Sequence, residues 1–440
     1  MHLSQRIRPY ESVAQRPSRL TLAHATFLVG VFLAPFHLRF STANFTISDA
    51  ATLAAALLIV LGRRPFHFLP LGLSAAAYAF LLFALLSTFR APQPGESVTQ
   101  ILQFAFTFFV QLPVILTLAQ SRLVVHASLG LLLAARLVDV TAAFLSSRAS
   151  GSGRALSPLY LYGESANQLA YPTAYLLPFL VYGLLQILRG PRSRRVRAAT
   201  ILGAIPVFYV MLWVLAASGS RSATLATLVG AGAFLTFRRG FDVSRQAVVR
   251  LALTFALVSL SGYALYQSGY FPTTLRERIE LTLRDDATLT QDRVDLAKAG
   301  WQAFLESPFL GVGLDNFRHL AERWGLLSVA TDPHNMWIDL LAKVGLFGTA
   351  AVLAMIAAWF LVLLRAQRAT ADPSHRELLS AFLASMVAIM TIHMFIPLML
   401  QRQYWLIYGL GLAWAFHTTA WHHAPSPVSF VRRRGESYAR

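Results

Sequence analysis

Apolar runs of membrane-spanning length recur along almost the whole chain, and they limit its fold more than any other feature. A helix needs about 17–25 largely apolar residues to cross a bilayer, because each residue advances it by about 1.5 Å. Only 13% of the 440 residues are charged, against about 25% in a typical soluble protein. The pattern predicts an all-α, polytopic integral membrane protein of about 12 transmembrane helices. The predicted spans are about 21–38, 46–61, 67–89, 98–119, 123–145, 166–188, 199–217, 222–237, 246–268, 335–364, 378–397 and 404–422.

The distribution of arginine predicts the orientation of these spans. Arginines lie mainly in short clusters between the apolar runs, as the positive-inside rule requires of cytoplasmic loops. An even number of spans puts both termini on one side, and the bias makes that side the cytoplasm, together with the basic loop at 189–197. The basic N-terminal stretch is too long and too charged for the start of a signal peptide. The sequence thus predicts a cytoplasmic basic tail at 1–20, transmembrane helices 1–9 over 21–268, a periplasmic helical loop at 269–334, transmembrane helices 10–12 over 335–422 and a cytoplasmic tail at 423–440.

Composition excludes several classes of function. The net charge of +18 does not indicate a nucleic-acid-binding protein, because the basic residues form no continuous face. The absence of Cys excludes disulfides and thiolate metal sites. The sequence also shows no His, Asp and Glu cluster at ligand spacing, so we expect no metal and no other cofactor.

The long loop at 269–334 contains helical signals of its own. Val294, Ala297, Trp301 and Phe304 recur at helical spacing and form one apolar stripe. We therefore expect a folded, helical extracytoplasmic cap that lies on the membrane.

The stretch "TDPHNMWIDLLAKVGLFG" places polar residues where the cap loop meets the tenth predicted span. Asp332 suits a helix N-cap and Pro333 the first helical position, which predicts that His334 lies in the first turn. The positive end of the helix dipole favours a nearby anion and disfavours a protonated imidazole. A neutral base beside an anion site suits group transfer from a phosphate carrier. The alternative is an interfacial histidine that only satisfies a backbone carbonyl.

Two arginines on the predicted outer side are further candidates. Arg221, in "AASGSRSATLAT", stands at the mouth of a span on the arginine-poor face, although an arginine there also reaches lipid headgroups by snorkelling. Arg293 lies beside the apolar stripe of the cap helix, and a local ion pair with Asp292 is its alternative role. For Arg136 and Asp139, three residues apart in one span, we predict mutual neutralisation. Asp339 and Lys343 have the spacing of a helical ion pair.

Taken together, these residues make the sequence resemble the O-antigen ligase family, within the O-antigen ligase and polymerase superfamily. The resemblance depends on Arg221 in its Ser-Gly-Ser-Arg-Ser turn, on Arg293 followed by "WQAFLESPFLGVGLDNF", and on "PHNMWIDLLAKVGLFG". The stretch "GESANQLAYPTAYLLP" at 163–178 is similar to an Asn-containing span of the family. The match covers about 160–350.

The resemblance implies a membrane-embedded glycosyltransferase of GT-C-like type in the bacterial inner membrane, with its active site facing the periplasm. Its donor would be an O-antigen polysaccharide on undecaprenyl pyrophosphate, its acceptor a sugar hydroxyl of lipid A–core, and it would need neither metal nor ATP. His334 would be the catalytic base, and Arg221 and Arg293 would bind the pyrophosphate. Asn335 and Asn167 would contribute to substrate binding.

Other functions remain compatible with the same residues. An O-antigen polymerase would use the same donor with another carrier-linked glycan as acceptor, and a protein O-oligosaccharyltransferase belongs to the same superfamily. A transporter of lipid or polysaccharide is the alternative from another class. The sequence shows no inverted repeat and no paired broken helices that would favour it.

Overall fold

The structure is a computed structural model, and it describes residues 20–36, 38, 45–150, 166–190, 193–238, 287–321, 332–397, 399 and 401–418. Every regular element within these ranges is a helix. The helices are α1 (Leu22–Leu33, extended by a 3-10 turn at Ala34–Phe36), α2 (Ile47–Leu61), α3 (Leu71–Thr88), α4 (Pro94–Phe106), α5 (Leu112–Leu118), α6 (Arg122–Ser150), α7 (Ala166–Arg189), α8 (Arg194–Ser218), α9 (Arg221–Phe237), α10 (Ala287–Glu306), α11 (Phe317–Ala321), α12 (Met336–Ala369), α13 (Pro373–His393) and α14 (Arg402–Thr418). A π-helical turn at Thr107–Gln111 joins α4 to α5.

Seven helical segments are long and apolar enough to cross a membrane. They are Leu71–Thr88, Pro94–Leu118, Arg122–Ser147, Leu169–Arg189, Arg194–Ser218, Met336–Ala369 and Pro373–His393, and α1 and α2 are shorter apolar helices. These findings make the chain a multi-pass membrane protein that is helical throughout the described ranges. Each predicted span overlaps a helix except the one at 246–268, which lies outside the described residues. The total of twelve spans and their orientation stay predictions.

The interior of the bundle is formed where α7, α9 and α13 pack against one another. Small residues bring these helices close together: a Cβ on Gly230 of α9 would lie only 3.0 Å from the Cβ of Ala388 on α13. Lipid tails are as apolar as the side chains, so close packing of small residues replaces the hydrophobic effect as the main attraction between helices. α9, which packs closely against α7 and α13, begins at Arg221.

The charged pair predicted in the fifth span is confirmed. Arg136 Nη1 lies 2.5 Å from Asp139 Oδ2 on α6, and both side chains are fully buried. Arg136 also donates to Thr173 Oγ1 on α7 at 3.2 Å. Pairing removes most of the cost that either charge alone would carry in lipid.

α12 is interrupted at Gly345, whose backbone has φ +65°. Just after this break, the Leu346 amide donates to the carbonyl oxygen of Pro308 at 2.8 Å. The Phe347 amide donates in the same way to Phe309 at 3.5 Å. A Cβ on residue 345 would lie 2.4 Å from the Phe309 carbonyl carbon, so the position requires glycine twice over, for its φ and for this close approach.

The same loop, between α10 and α11, also satisfies the first segment of α12. A helix break leaves the last carbonyls of a segment without their usual donors. The Ala342 carbonyl accepts the Val312 amide and the Lys343 carbonyl accepts the Gly313 amide, both at 2.9 Å. The four hydrogen bonds on the two sides of Gly345 join the cap to the membrane bundle through backbone alone.

α10 does not use its predicted apolar stripe to pack against the protein. Val294 is 40% exposed and Trp301 49% exposed. The packing face consists instead of Leu296, Ala299 and Ala303, in one cluster with Ala342 of α12. Two alanines on this face allow an approach that Trp301 would block, so the bulkier residues are left on the outside.

Candidate functional site

The turn before α12 differs from the predicted helix start. Asn335 is the N-cap, since its Oδ1 accepts the amides of Trp337 at 3.0 Å and Ile338 at 3.2 Å. The prediction that Asp332 caps this helix and that His334 lies in its first turn is therefore wrong. His334 immediately precedes the cap and has a positive φ of +50°, a conformation that few residues with a Cβ adopt. It still lies at the positive end of the helix dipole.

Asn335 holds this turn in a second direction. Its Nδ2 donates to the Met394 carbonyl oxygen at the end of α13, at 3.1 Å. Trp337 Nε1 approaches the Met394 sulfur at 3.1 Å. The Asn335 side chain thus joins the start of α12 to the end of α13. Because Asn335 directly follows His334, these contacts also hold the backbone next to His334 in place.

Asp332 has a different partner from the one its cap spacing suggested. Its Oδ1 lies 2.6 Å from Lys343 Nζ. The predicted pair of Lys343 with Asp339 is also present, at 2.9 Å between Nζ and Oδ1. The sequence missed Asp332 as the third member because the contact joins a loop to a helix two turns further on.

Gly300 brings the cap helix onto this turn. A Cβ at residue 300 would lie 2.6 Å from Ile338 Cγ2 and 3.0 Å from Pro333 Cγ. α10 therefore rests directly on the residue before His334, and no side chain larger than hydrogen fits between them. Arg293 lies two turns earlier on the same helix.

The surroundings of His334 lower its pKa below the ordinary value of 6.5. Partial burial is the largest cause, because it disfavours the charged imidazolium. The positive charge of Arg293 lowers the pKa further, and the negative charge of Asp332 opposes both effects. The imidazole is therefore mainly neutral at pH 7 and able to accept a proton, which agrees with the prediction from the helix dipole.

Arg221 stands at the turn that joins α8 to α9. Gly219 ends α8 with φ +63°, and Ser220 caps α9 by accepting the Ala223 amide at 3.3 Å. α9 then begins at Arg221, whose side chain is exposed. The Ser-Gly turn predicted from the sequence is thus a left-handed helix end followed at once by a capped helix start, which presents Arg221 at the mouth of the bundle.

Tyr171 on α7 contacts this turn, and sequence reasoning missed it. Its hydroxyl lies 3.3 Å from Ser222 Oγ, the residue after Arg221. The charge of Arg293 acts on Tyr171 as well as on His334. The cation of Arg293 is therefore close enough to act on both Tyr171 and His334. The one signal that pointed to Tyr171 was its place one helical turn after Asn167. Asn167 belongs to the first turn of α7, and its side chain lies outside the described part.

Among the residues that the structure describes, no group of three or more His, Asp or Glu side chains is arranged to hold a metal ion. The charged groups near His334 are a guanidinium and a carboxylate that is already bound to Lys343. Arg293 thus contributes positive charge near His334.

Comparison with known proteins shows a similarity over the middle of the chain. Residues 206–353 match the Wzy_C family model, described as O-antigen ligase. The matched region begins in α8 and ends in α12, so it contains Arg221, Arg293 and the turn with His334 and Asn335. This match confirms the predicted resemblance to the O-antigen ligase family, and it supports a function of O-antigen ligase or polymerase type.

A curated relative is also similar to this chain. It is the teichuronic acid biosynthesis protein TuaE of Bacillus subtilis (strain 168), which is 21% identical over 291 residues. The aligned region covers 64% of this chain and 58% of TuaE. The chain thus spans little more than half the length of this relative.

Proposed function

We propose that the protein is an O-antigen ligase of the bacterial inner membrane. It transfers a polysaccharide from undecaprenyl pyrophosphate to a sugar hydroxyl of lipid A–core in the periplasmic leaflet. The observation that supports the proposal is that the positive charge of Arg293 acts on two groups. One is His334, whose pKa is lowered, and the other is Tyr171, whose hydroxyl lies 3.3 Å from Oγ of Ser222, the residue after Arg221. A neutral base next to two guanidinium groups suits attack on a glycosyl pyrophosphate.

The two arginines stabilise the leaving group. The acceptor oxygen attacks the anomeric carbon, the bond from that carbon to the phosphate oxygen breaks, and its electron pair stays on the pyrophosphate. Guanidinium groups are permanently charged and contact phosphate oxygens with two parallel donors. Arg221 and Arg293 thereby do what a divalent cation does in many glycosyltransferases, so the reaction needs no metal and no ATP.

His334 removes the proton from the acceptor hydroxyl as the new bond forms. A positioned general base of this kind contributes about 10²–10⁴-fold to a rate. Attack from the side opposite the leaving group inverts the configuration at the anomeric carbon. Burial and Arg293 support this role because both favour the neutral imidazole at pH 7.

Asn335 and Asn167 serve the site in different ways. Both polar ends of the Asn335 side chain are engaged, by the α12 amides and by Met394, so its role is to orient His334. Asn167 precedes Tyr171 by one turn of α7, and we propose that it contacts a donor sugar.

An O-antigen polymerase is the second candidate. The family match fits both reactions, and TuaE is named for the biosynthesis of a polymer, teichuronic acid. A protein O-oligosaccharyltransferase would differ only in its acceptor. A transporter is less well supported, because Arg221, Arg293 and His334 are associated with one end of the bundle rather than with its middle.

Analysis of lipopolysaccharide from a deletion strain separates these functions. A ligase deletion loses the O-antigen ladder while polymeric glycan accumulates on the carrier. A polymerase deletion leaves core with a single repeat unit. A normal ladder in the deletion strain would contradict both.

Purified protein with carrier-linked glycan and lipid A–core should also form product in excess EDTA. Activity that EDTA abolishes and Mg²⁺ restores would contradict the two-arginine mechanism.

A further inference from the structure

We propose that Lys343 is a positioning residue that holds His334 in place through Asp332. The inference rests on the proposed function, in which His334 is the base. Lys343 lies in α12, nine residues after His334, and its side chain is only 7% exposed. It cannot touch a substrate from that position, so it acts through the residues that it binds.

The ammonium group of Lys343 has two carboxylate partners that fix it in place. Its Nζ lies 2.6 Å from Asp332 Oδ1 and 2.9 Å from Asp339 Oδ1. Asp339 is on the same helix and is 8% exposed, whereas Asp332 is in the loop and is 35% exposed. A buried ammonium is stable only with such partners. The pair with Asp339 fixes the ammonium on α12, and the pair with Asp332 holds the loop to that point.

The loop between Asp332 and α12 is short and stiff. Pro333 has a ring-fixed φ, is buried and lies against Gly300 of the cap helix. His334 follows with φ +50°, and Asn335 closes the turn as the N-cap. Lys343 fixes one end of this four-residue segment and Asn335 fixes the other, which determines where the imidazole lies.

The backbone of Lys343 extends the same connection to the cap. Its carbonyl oxygen accepts the Gly313 amide at 2.9 Å, in the loop that follows α10. α10 is also the helix that carries Arg293. Lys343 thus binds the turn that contains His334 through its side chain. Through its backbone it binds the loop that follows α10, the helix of Arg293. This arrangement fixes the position of His334, the proposed base, relative to the helix that carries Arg293.

Two charged groups act on His334 and make the proposal measurable. Arg293 faces it from α10, and Asp332 belongs to its own turn. Removing the Lys343 charge leaves the Asp332 carboxylate unopposed, so the imidazole should become easier to protonate. Removing the Asp332 charge should have the reverse effect.

The experiment compares four variants of the reconstituted full-length protein over a range of pH. Lys343→Met should lower kcat by roughly 10²-fold, the size typical of a small misplacement, and should move the acid limb of kcat to higher pH. Asp332→Asn should also lower kcat, but it should move that limb to lower pH. KM for the donor should change little in both, since the arginines remain. Lys343→Arg, which keeps the charge, should restore part of the turnover.

Lys298→Met is the matched control, because Lys298 is exposed on α10 and pairs only loosely with Asp295, at 3.4 Å. It should keep normal kcat and pH dependence. If Lys343→Met fails to insert into the membrane, Asp332→Asn tests the same connection, since Lys343 then keeps Asp339. A purely structural role would lower abundance and leave the acid limb unmoved, which would overturn the inference.

His334→Ala in the same assay separates this inference from the proposed function. If His334→Ala loses turnover while Lys343→Met and Asp332→Asn keep normal kcat and acid limb, the positioning role is wrong and the base assignment stands. If His334→Ala keeps full turnover, the base assignment is wrong and the positioning role is wrong with it.

Discussion

The Arg136–Asp139 pair and the residues around His334 both keep charged groups within a helical membrane protein, but in different surroundings. Arg136 and Asp139 lie on one helix, are fully buried and neutralise each other one to one. Around His334, charges from three segments meet, and Arg293 and part of Asp332 remain accessible. We call Arg136 and Asp139 the closed pair, and His334 with Arg293 and Asp332 the open cluster. The closed pair only removes the cost of burying its charges, whereas the open cluster keeps charge available for a ligand. Under the proposed function, the closed pair is structural and the open cluster performs the chemistry.

Replacing His334 tests the open cluster most severely. His334→Ala removes the proposed base and leaves both arginines, so donor binding should stay near normal while turnover falls by at least about 10²-fold. Turnover and donor affinity are measured on purified protein, and the O-antigen ladder in cells. Each variant must first reach normal abundance in the membrane. If the His334→Ala variant formed an ordinary O-antigen ladder at an ordinary rate, the assignment of His334 as the base would be wrong and the turn would have only a structural role.

The arginines should show the next largest effect. Arg221→Lys and Arg293→Lys keep the positive charge but lose the two parallel donors that match a phosphate. We expect turnover to fall by roughly 10-fold or more, short of the 10²–10³-fold that follows complete removal of a stabilising donor. Donor binding should weaken as well, unlike in His334→Ala. Arg194→Lys makes the same change at the exposed start of α8 and should be neutral. Equal effects of the lysine change at Arg194 and at Arg293 would contradict the assignment.

Sequence reasoning identified the elements that depend on neighbouring residues. Apolar runs define helices locally, and overlapping helices confirm eleven of the twelve predicted segments as helical. The Ser-Gly turn before Arg221 and the ion pair of Arg136 are equally local. The start of α12 was wrong for the opposite reason. Asp332 has the residue type and spacing of an N-cap, but Lys343 binds it, and Asn335 is the residue left to cap the helix.

Contacts between distant segments could not be predicted from one sequence. Gly311 and Gly345 are separated by 34 positions, yet each allows the loop and α12 to meet backbone to backbone. Nothing in "GLFG" shows that its first glycine has φ +65° rather than lying in a helix–helix contact. Tyr171 was missed for the same reason, because its partner Ser222 is on another helix.

The glycine junction provides a third test, directed at the support of the open cluster. Gly345→Ala places a Cβ 2.4 Å from the Phe309 carbonyl carbon and forces a strained φ, which by itself costs about 1–2 kcal/mol. We expect a several-fold loss of folded protein in the membrane and a lower Tm. Gly203→Ala in α8 is the control, since in the described part of the chain no atom outside its own helix turn lies within 4 Å of the new Cβ. Equal abundance of the two variants would show that the cap does not depend on this junction.

The pH dependence of turnover tests the electrostatics of the open cluster. His334 must be neutral to act as a base, and its pKa is lowered from 6.5. At pH 6.5 an ordinary histidine is half protonated, so turnover there should remain above half of its plateau value and fall only at lower pH. Arg293→Gln removes a charge that lowers this pKa, so its acid limb should move to higher pH. Movement to lower pH, or none, would contradict the proximity of Arg293 to the base.

The smallest effect is expected from replacing the closed pair, Arg136 and Asp139. This variant tests whether a buried one-to-one ion pair differs in role from the open cluster around His334. Arg136→Gln combined with Asp139→Asn removes both charges at once, so neither is left unpaired in the membrane. Glutamine retains donors for Thr173 Oγ1, which Arg136 now contacts at 3.2 Å. Replacing a buried ion pair by neutral groups is often close to neutral for stability. We therefore expect near-normal abundance and turnover within a few-fold of the unmodified protein, whereas Arg136→Gln alone strands Asp139 and should reduce abundance. If the double variant inserted normally but lost ligation as His334→Ala does, charge at Arg136 would belong to the reaction, and closure of a pair would no longer distinguish structural charges from functional ones.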